Sequence, residues 1–437
     1  MEPCIITITG ASISGKSTAI KRLLSLADSE FKPVLMPKYT TRPARDNDDA
    51  DVICVESLPK ECDIAYQQYG VRSGIAKISI DAELSKGNFP ILVLNNIGAV
   101  RKVKELFKGR VISLFNFRKV PQLKDFDRVS QERGNVSKKE NRNRFEKATV
   151  IYRSYIENIE LFDKTLLNVV EDDFTLLDEQ LKQFVIWVKA RKVQLEQGPK
   201  LFVIVGNPGS GKDEIIRAVR DLGKLDADVV PKYTTRAQEE DDGSEMICQY
   251  TPSPNAISDC QEKAARVQLS KKGSKYNWKH YFQWDFDYDN PDHNVQFILN
   301  DSYVNGIEKC SVHYSKKQFN YGINTDAISE HIKNRHQIIV VSGYDAIIQL
   351  MKKFSNRVVV IYVHSQISEK EYLEKSLDAN KRVKAVDFNE ELSLYSRRFD
   401  IFNHAIIYAE TKIGKGKSSQ EDLIDQIFNV LRADKYN

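Results

Sequence analysis

The hexapeptide Pro37-Lys-Tyr-Thr-Thr-Arg42 occurs twice, unchanged, the second time at Pro231–Arg236. Upstream of each copy stand a β-branched run, a glycine-rich turn and an amphipathic segment that opens on lysine. Ile6–Leu24 reads ITITGASISGKSTAIKRLL, and Phe202–Arg220 reads FVIVGNPGSGKDEIIRAVR. The lysines, Lys16 and Lys212, lie 196 residues apart, and the hexapeptides 194 apart. A near-constant offset of that length marks a duplicated domain and excludes a short-period solenoid. Strands alternating with helices predict an α/β fold in each copy, with a parallel sheet covered by helices on both faces.

The correspondence runs on. Ile53-Cys54 matches Ile247-Cys248, and Tyr69-Gly70-Val71 is paired with Tyr321-Gly322-Ile323. Apolar strands follow at 89–96 and 337–344, then at 111–115 and 358–363, and late in each copy Leu161–Leu166 matches Ile401–Ile406. Leu177, Leu181, Phe184, Trp187 and Val188 recur at helical spacing, and Gly198-Pro199 breaks that helix. The expected domains are therefore 1–197 and 198–437.

Tyr39 to Tyr69 spans 30 residues, whereas Tyr233 to Tyr321 spans 88, so the second copy carries an insert of about 58 residues near 251–318. Its stretch SKKGSKYNWKHYFQWDFDYDNPDHN is polar and aromatic. The plainer reading is a small added subdomain with its own aromatic core. The alternative is a surface that stacks on a base or meets a protein partner.

Charge and composition bound the function. Lys plus Arg is 65 against 61 for Asp plus Glu, a net charge of +4. That is too balanced for a dedicated duplex nucleic-acid binder but suits small anionic ligands. The longest apolar runs, such as Phe89–Leu94 and Val358–Val363, fall far short of a bilayer span. The opening Met-Glu-Pro-Cys has no basic run like that of a signal peptide. Six cysteines show neither C-x-x-C pairing nor neighbouring histidines at metal spacing. A cytoplasmic chain with reduced thiols and no membrane association is expected.

The glycine loops carry the chemistry. Gly10-Ala-Ser-Ile-Ser14-Gly15-Lys16-Ser17-Thr18 fits G-x-x-x-x-G-K-[ST]. Glycines let the backbone approach phosphate oxygens, and the helix behind the loop turns its positive end toward the anion. Lys16 is expected on the β/γ-phosphates of ATP, and the Ser17 hydroxyl on Mg²⁺. Ile13 and Ser14 stand where such loops often have glycine, which predicts a stiffer loop. The second loop, Gly206-Asn-Pro-Gly209-Ser-Gly211-Lys212-Asp213, puts a carboxylate at the Ser/Thr position. Asp213 is either a direct Mg²⁺ ligand or the sign of a non-catalytic copy.

A second anion site follows the hexapeptide. Arg42 and Arg45, three residues apart, are placed to clamp a second phosphate, with Tyr39, Tyr69 and the threonine hydroxyls as further donors. The second copy keeps Arg236 but has Glu239 in place of Arg45. A solvated turn is the plain alternative. A third basic cluster, Arg128, Arg133, Arg142 and Arg144, reads as an arginine-rich lid over a transferred phosphoryl group, or as a solvated helix face. Its counterpart, Lys381, Arg382 and Lys384, is poorer in arginine.

Strand, glycine loop, TTRxxR, Tyr-Gly, a second strand and an arginine lid, in this order, resemble the guanylate kinase family, in both halves of the chain. The resemblance implies an ATP- and Mg²⁺-dependent kinase. Lys16 and Ser17 would hold ATP, and Arg42, Arg45 and Tyr69 the acceptor phosphate, with Arg133, Arg142 and Arg144 in the lid. Arg236 and Tyr321 would serve the second copy. Departures touch base reading: Val71 and Ile323 follow the Tyr-Gly pairs, Asn95 and Ser342 stand for a central acidic residue, and Asp63 is the nearest substitute for a base-reading Glu. The chain is also similar to ribose 1,5-bisphosphate phosphokinases, through Gly209, Asp213 and Tyr69-Gly70-Val71. The acceptor is thus expected to be GMP, a related nucleotide or a ribose phosphate. The alternative is a nucleotide-sensing or protein-interaction module built from degenerate copies.

Overall fold

The computed structural model describes residues 2–44, 51–68, 70–132, 138–170, 173–190, 197–207, 209–222, 227–230, 232–234, 246–248, 310–316, 319–365, 386–409 and 418–433. The insert of the second copy falls almost wholly outside the described residues.

In the first copy β1 (Ile5–Thr9) leads into α1 (Lys16–Leu24), β2 (Pro33–Leu35), β3 (Lys38–Thr40) and β4 (Val52–Cys54). Then come β5 (Ile64–Gln68), β6 (Val71–Ile75), α2 (Lys77–Ser85), β7 (Phe89–Val93), α3 (Ile97–Leu106) and β8 (Val111–Phe117). Helices α4 (Leu123–Glu132) and α5 (Lys138–Glu157), strand β9 (Lys164–Leu167) and α6 (Thr175–Ala190) complete it. Five strands form one parallel sheet in the order β2-β7-β1-β8-β9. Every residue of β1 and of β8 is buried. Burial on both faces is why these strands read as unbroken apolar runs and not as alternations. Leu92, Val100 and Val103 fill the space between the sheet and α3, whose first turn is capped by the Asn96 side chain accepting from the Ala99 N–H.

The second copy has β10 (Leu201–Gly206), α7 (Lys212–Leu222), β11 (Ala227–Val229), β12 (Lys232–Thr234) and β13 (Met246–Cys248). After the insert come β14 (Val312–Lys316), β15 (Phe319–Ile323), α8 (Thr325–His331), β16 (His336–Val340) and α9 (Tyr344–Phe354). It ends with β17 (Val358–Ser365), α10 (Val386–Arg397), β18 (His404–Tyr408) and α11 (Ser419–Leu431). The sheet order is β11-β16-β10-β17-β18, the same order as in the first copy. A capping box between Ser418 and Glu421 opens α11. The expected α/β class with parallel sheets is what the chain forms. No helix among the described residues is long and apolar enough to cross a membrane.

The two small sheets, β4-β3-β6-β5 and β13-β12-β15-β14, are mixed and also match in order. Their register corrects the repeat as read from sequence. Tyr39 pairs with Gly74 and Thr40 with Ser73, whereas Tyr233 pairs with Gly322 and Thr234 with Tyr321. The counterpart of Tyr321-Gly322-Ile323 is therefore Ser73-Gly74-Ile75, not Tyr69-Gly70-Val71. Close approach explains the shared glycine: a Cβ on Gly74 would lie 2.7 Å from that of Cys62. Tyr39 to Ser73 spans 34 residues, so the insert shrinks from 58 residues to 54.

The chain divides into two units: 1–194 with 206–215 and 360–434, and 195–205 with 216–359 and 435–437. Within the first unit, β9 and α5 meet the end of the chain. The Tyr155 hydroxyl donates to the Ala405 carbonyl at 2.6 Å, and the Tyr395 hydroxyl to the Thr165 carbonyl at 2.6 Å. The Lys164 ammonium, buried, donates to the carbonyls of Phe399, Asp400 and Phe402.

Candidate functional site

The first glycine loop joins the carboxyl end of β1 to the amino end of α1, the edge of a parallel sheet where α/β folds take ligands. Gly15 sits at the helix N-cap with φ +84°, and a Cβ there would collide with Asn168 Nδ2. Two asparagines brace the loop: Asn116 Nδ2 donates to the Ser14 carbonyl at 2.7 Å and Asn168 Nδ2 to the same oxygen at 3.2 Å. The Lys16 ammonium donates to the carbonyls of Gly10 and Ala11, both at 2.7 Å. Burial, with the nearby charge of Lys38 adding to it, lowers the Lys16 pKa to about 7. Ser17 is exposed and Thr18 half-buried in the first turn of α1, which holds no acidic residue. That turn presents its positive end uncompensated by side-chain charge.

The second loop repeats the arrangement. Lys212 Nζ donates to the carbonyls of Gly206 at 2.8 Å and Asn207 at 2.6 Å, and Gly211 has φ +86°. The loops differ at two points. Gly209 has φ +71°, and Ile13, its counterpart, holds the same left-handed conformation at φ +62°. A β-branched residue is strained there, so the first loop keeps its shape against a local preference. In addition, Asp213 and Glu214 occupy the first turn of α7. They stabilise that helix end, yet they place negative charge where a phosphate would bind.

Of the residues expected to hold an acceptor phosphate, Tyr39 is half-buried on β3, and Arg42 Nη1 donates to the Pro43 carbonyl at 2.9 Å. Arg45, Tyr69, Arg133 and Arg236 lie outside the described residues, as do Glu239, Lys381, Arg382 and Lys384. Tyr321 is buried and stacks on Tyr314 with centroids 5.0 Å apart and planes 10° apart. Two of the arginines expected in a lid are engaged along α5: Arg142 with Glu146 at 3.5 Å and Arg144 with Glu140 at 2.6 Å. Arg128 is exposed on α4. Asp63 accepts from the Lys77 N–H at the start of α2, at 3.0 Å. The Oδ1 of Asn95, just past β7, is buried without a hydrogen-bond partner among the described residues.

A shallow cleft opens beside the first loop, lined among others by Ser12, Ser14, Phe117, Lys119, Asp125 and Tyr152. The Lys119 ammonium is paired with Asp125 at 2.7 Å. Sequence reading missed Asn116 and Asn168, since a lone asparagine far along the chain carries no motif. It also passed over Lys38, although that lysine lies inside the repeated hexapeptide. Among the described residues no group of three or more His, Cys, Asp or Glu could hold a metal ion.

No family model matches the chain, and no curated protein matches it. Among solved structures, a guanylate kinase from Anaplasma phagocytophilum shares 16% identity, covering 44% of this chain and 88% of its own, with a TM-score of 0.30. A NadR protein in complex with NR shares 11% identity over 98% of this chain and 97% of its own, with a TM-score of 0.21. Both likenesses are weak, and the functional reading rests on the loops themselves.

Proposed function

We propose that the chain is an ATP-dependent phosphotransferase made of two tandem guanylate kinase-like halves, the first of which transfers the γ-phosphoryl group to a small monophosphate. The observation that carries this reading is the first glycine loop: a left-handed Gly15 ahead of α1, with Lys16 on the loop's own carbonyls and no acid in the helix's first turn. Phosphoryl transfer asks the protein mainly for positioning and charge stabilisation. Lys16 would place its ammonium on the β/γ-oxygens, and Arg42 and Tyr39 would hold the acceptor phosphate. The acceptor is GMP, a related nucleotide or a ribose phosphate.

Mg²⁺ fits this site through the Ser17 hydroxyl. Mg²⁺ is commonly bound through few protein ligands, with phosphates and waters filling the rest, which agrees with the lack of an acidic cluster among the described residues. When bound, it would neutralise charge on the β/γ-oxygens. Asp213 would serve the same end in the second copy.

A second reading, a nucleotide-sensing or interaction module, is favoured for the second copy by Asp213 and Glu214 at the anion-binding end of α7. Incubation with Mg²⁺-ATP and a panel of GMP, dGMP, AMP, UMP, CMP, dTMP and ribose 1,5-bisphosphate separates the two. Phosphotransfer predicts ADP formation dependent on one acceptor, lowered by about 100-fold or more in Lys16→Ala and little changed in Lys212→Ala. Binding of ATP without turnover of any acceptor would favour the sensing module.

A further inference from the structure

Position 38 lies in the repeated hexapeptide and is lysine in both copies. Lys38 and Thr40 share one face of β3, because side chains alternate along a strand. Thr40 is buried and its hydroxyl accepts from Ser73 at 3.2 Å, which identifies that face as the inward one. The second copy shows where such a lysine reaches. Lys232 is buried, and its ammonium donates to the carbonyl of Val340 at 2.9 Å. Val340 ends β16, the strand beside β10, and pairs with Ile204. Val93 holds the same place in the first copy, paired with Ile8. The inward lysine thus reaches the carboxyl edge of the sheet, where ligands collect.

In the first copy that edge already carries Lys16, and the charge of Lys38 adds to burial in destabilising the Lys16 ammonium. Like charges that feel one another repel, and an anion bound between two ammonium groups is attracted to both. The first turn of α1 holds no acidic side chain to serve instead.

We propose that Lys38 is a second polyphosphate-binding residue of the first copy, facing Lys16 across the transferred phosphoryl group. The proposal rests on reading Gly10–Ser17 as a phosphate cradle. During transfer the bond from the γ-phosphorus to the bridging oxygen breaks and a bond to an acceptor phosphate oxygen forms. Lys38 gives up no proton in that step; it holds charge that spreads over the equatorial oxygens.

The test uses the full chain and inorganic tripolyphosphate, which needs no acceptor. Calorimetric binding is compared for wild type, Lys38→Met, Lys38→Gln, Lys38→Arg and Lys102→Met, the last an exposed lysine of α3 serving as charge control. The expected result is about tenfold or greater weakening in Lys38→Met and Lys38→Gln, recovery of most affinity in Lys38→Arg, and no change in Lys102→Met. With an acceptor found, the same variants raise the ATP KM and lower kcat while leaving the acceptor KM within about twofold. Folded Lys38→Met or Lys38→Gln protein with wild-type tripolyphosphate affinity overturns the proposal and leaves phosphotransfer standing. Weakened binding in a protein that turns over no acceptor sinks phosphotransfer and keeps the proposal. A wild type that binds no tripolyphosphate overturns both.

Discussion

Tyr155 and Tyr395 make the same hydrogen bond in opposite directions. They are equivalent residues of the two copies, each seven residues ahead of an aromatic at the foot of the last strand, Phe162 and Phe402. Tyr155 donates to the carbonyl of Ala405, and Tyr395 to that of Thr165, the equivalent of Ala405. Such reciprocity is the signature of an isologous contact, here made within one chain. The rings around it match too: Phe115 stacks on Tyr155 at 3.8 Å, and Tyr362 on Tyr395 at 4.6 Å.

Removing either hydroxyl strands a buried carbonyl. Tyr155→Phe and Tyr395→Phe should each lower stability by about 1–2 kcal/mol. The pair should couple rather than simply add, since both hydroxyls bond Thr165, Tyr155 at its Oγ1 and Tyr395 at its carbonyl. Urea unfolding of the two single variants and the double variant reads this directly, and a double variant no less stable than wild type would refute it.

Lys164 has the higher stake. Its ammonium supplies three carbonyls, and it lies over the Trp187 ring at 4.7 Å. Burial lowers its pKa to about 7, with Asp400 and Asp163 opposing the drop. Lys164→Met keeps the apolar stem but leaves three acceptors unsatisfied, which should cost roughly 2–4 kcal/mol. A fall in the urea midpoint is the expected readout; an unchanged midpoint would mean water replaces the ammonium at no cost.

Ile13 invites a substitution in the other direction. Glycine at that position removes the left-handed penalty, as Gly209 does in the second loop. Ile13→Gly should stabilise the folded chain by about 1 kcal/mol, net of the entropy glycine adds to the unfolded state. Thermal unfolding checks the sign. Because the loop would also become looser, ATP affinity should fall slightly.

His364 makes stability depend on pH. Burial pushes its pKa down to about 4, and its Nδ1 has no hydrogen-bond partner among the described residues. Above about pH 6.5 the imidazole is neutral in both the folded and unfolded chains, and stability is unaffected. As pH falls below 6.5 the unfolded chain takes up a proton that the folded chain refuses, and stability is lost progressively until about pH 4. The loss between pH 7 and 5 should be about 2 kcal/mol. Phe117 is the equivalent residue of the first copy, set against His364 at 6.1 Å. His364→Phe should therefore flatten the pH dependence relative to wild type, as measured by urea midpoints at the two pH values.

The loops were legible because their demands are local. Gly15, Lys16 and Ser17 are read from eight consecutive residues, and so is the α/β class from unbroken runs such as Ile5–Thr9 beside helical spacing. Arg142 and Arg144, by contrast, share the lid motif with an ordinary solvated helix face. The structure places both in ion pairs along α5, with glutamates that the motif does not mention.

What the sequence by itself determined is the repeated hexapeptide, the two glycine-lysine loops and the alternation of strand and helix, since each depends on neighbours in the chain. What tertiary structure alone decided is which residues answer one another across it. Tyr-Gly at 69–70 looks like the partner of Tyr321-Gly322, but hairpin register assigns that place to Ser73-Gly74, because strand pairing and the tight approach of Gly74 to Cys62 set it. Lys164 and Phe399 are 235 residues apart, and Tyr155 and Ala405 are 250 apart. Those contacts exist because buried donors must find acceptors, and only the packed fold says which ones are within reach.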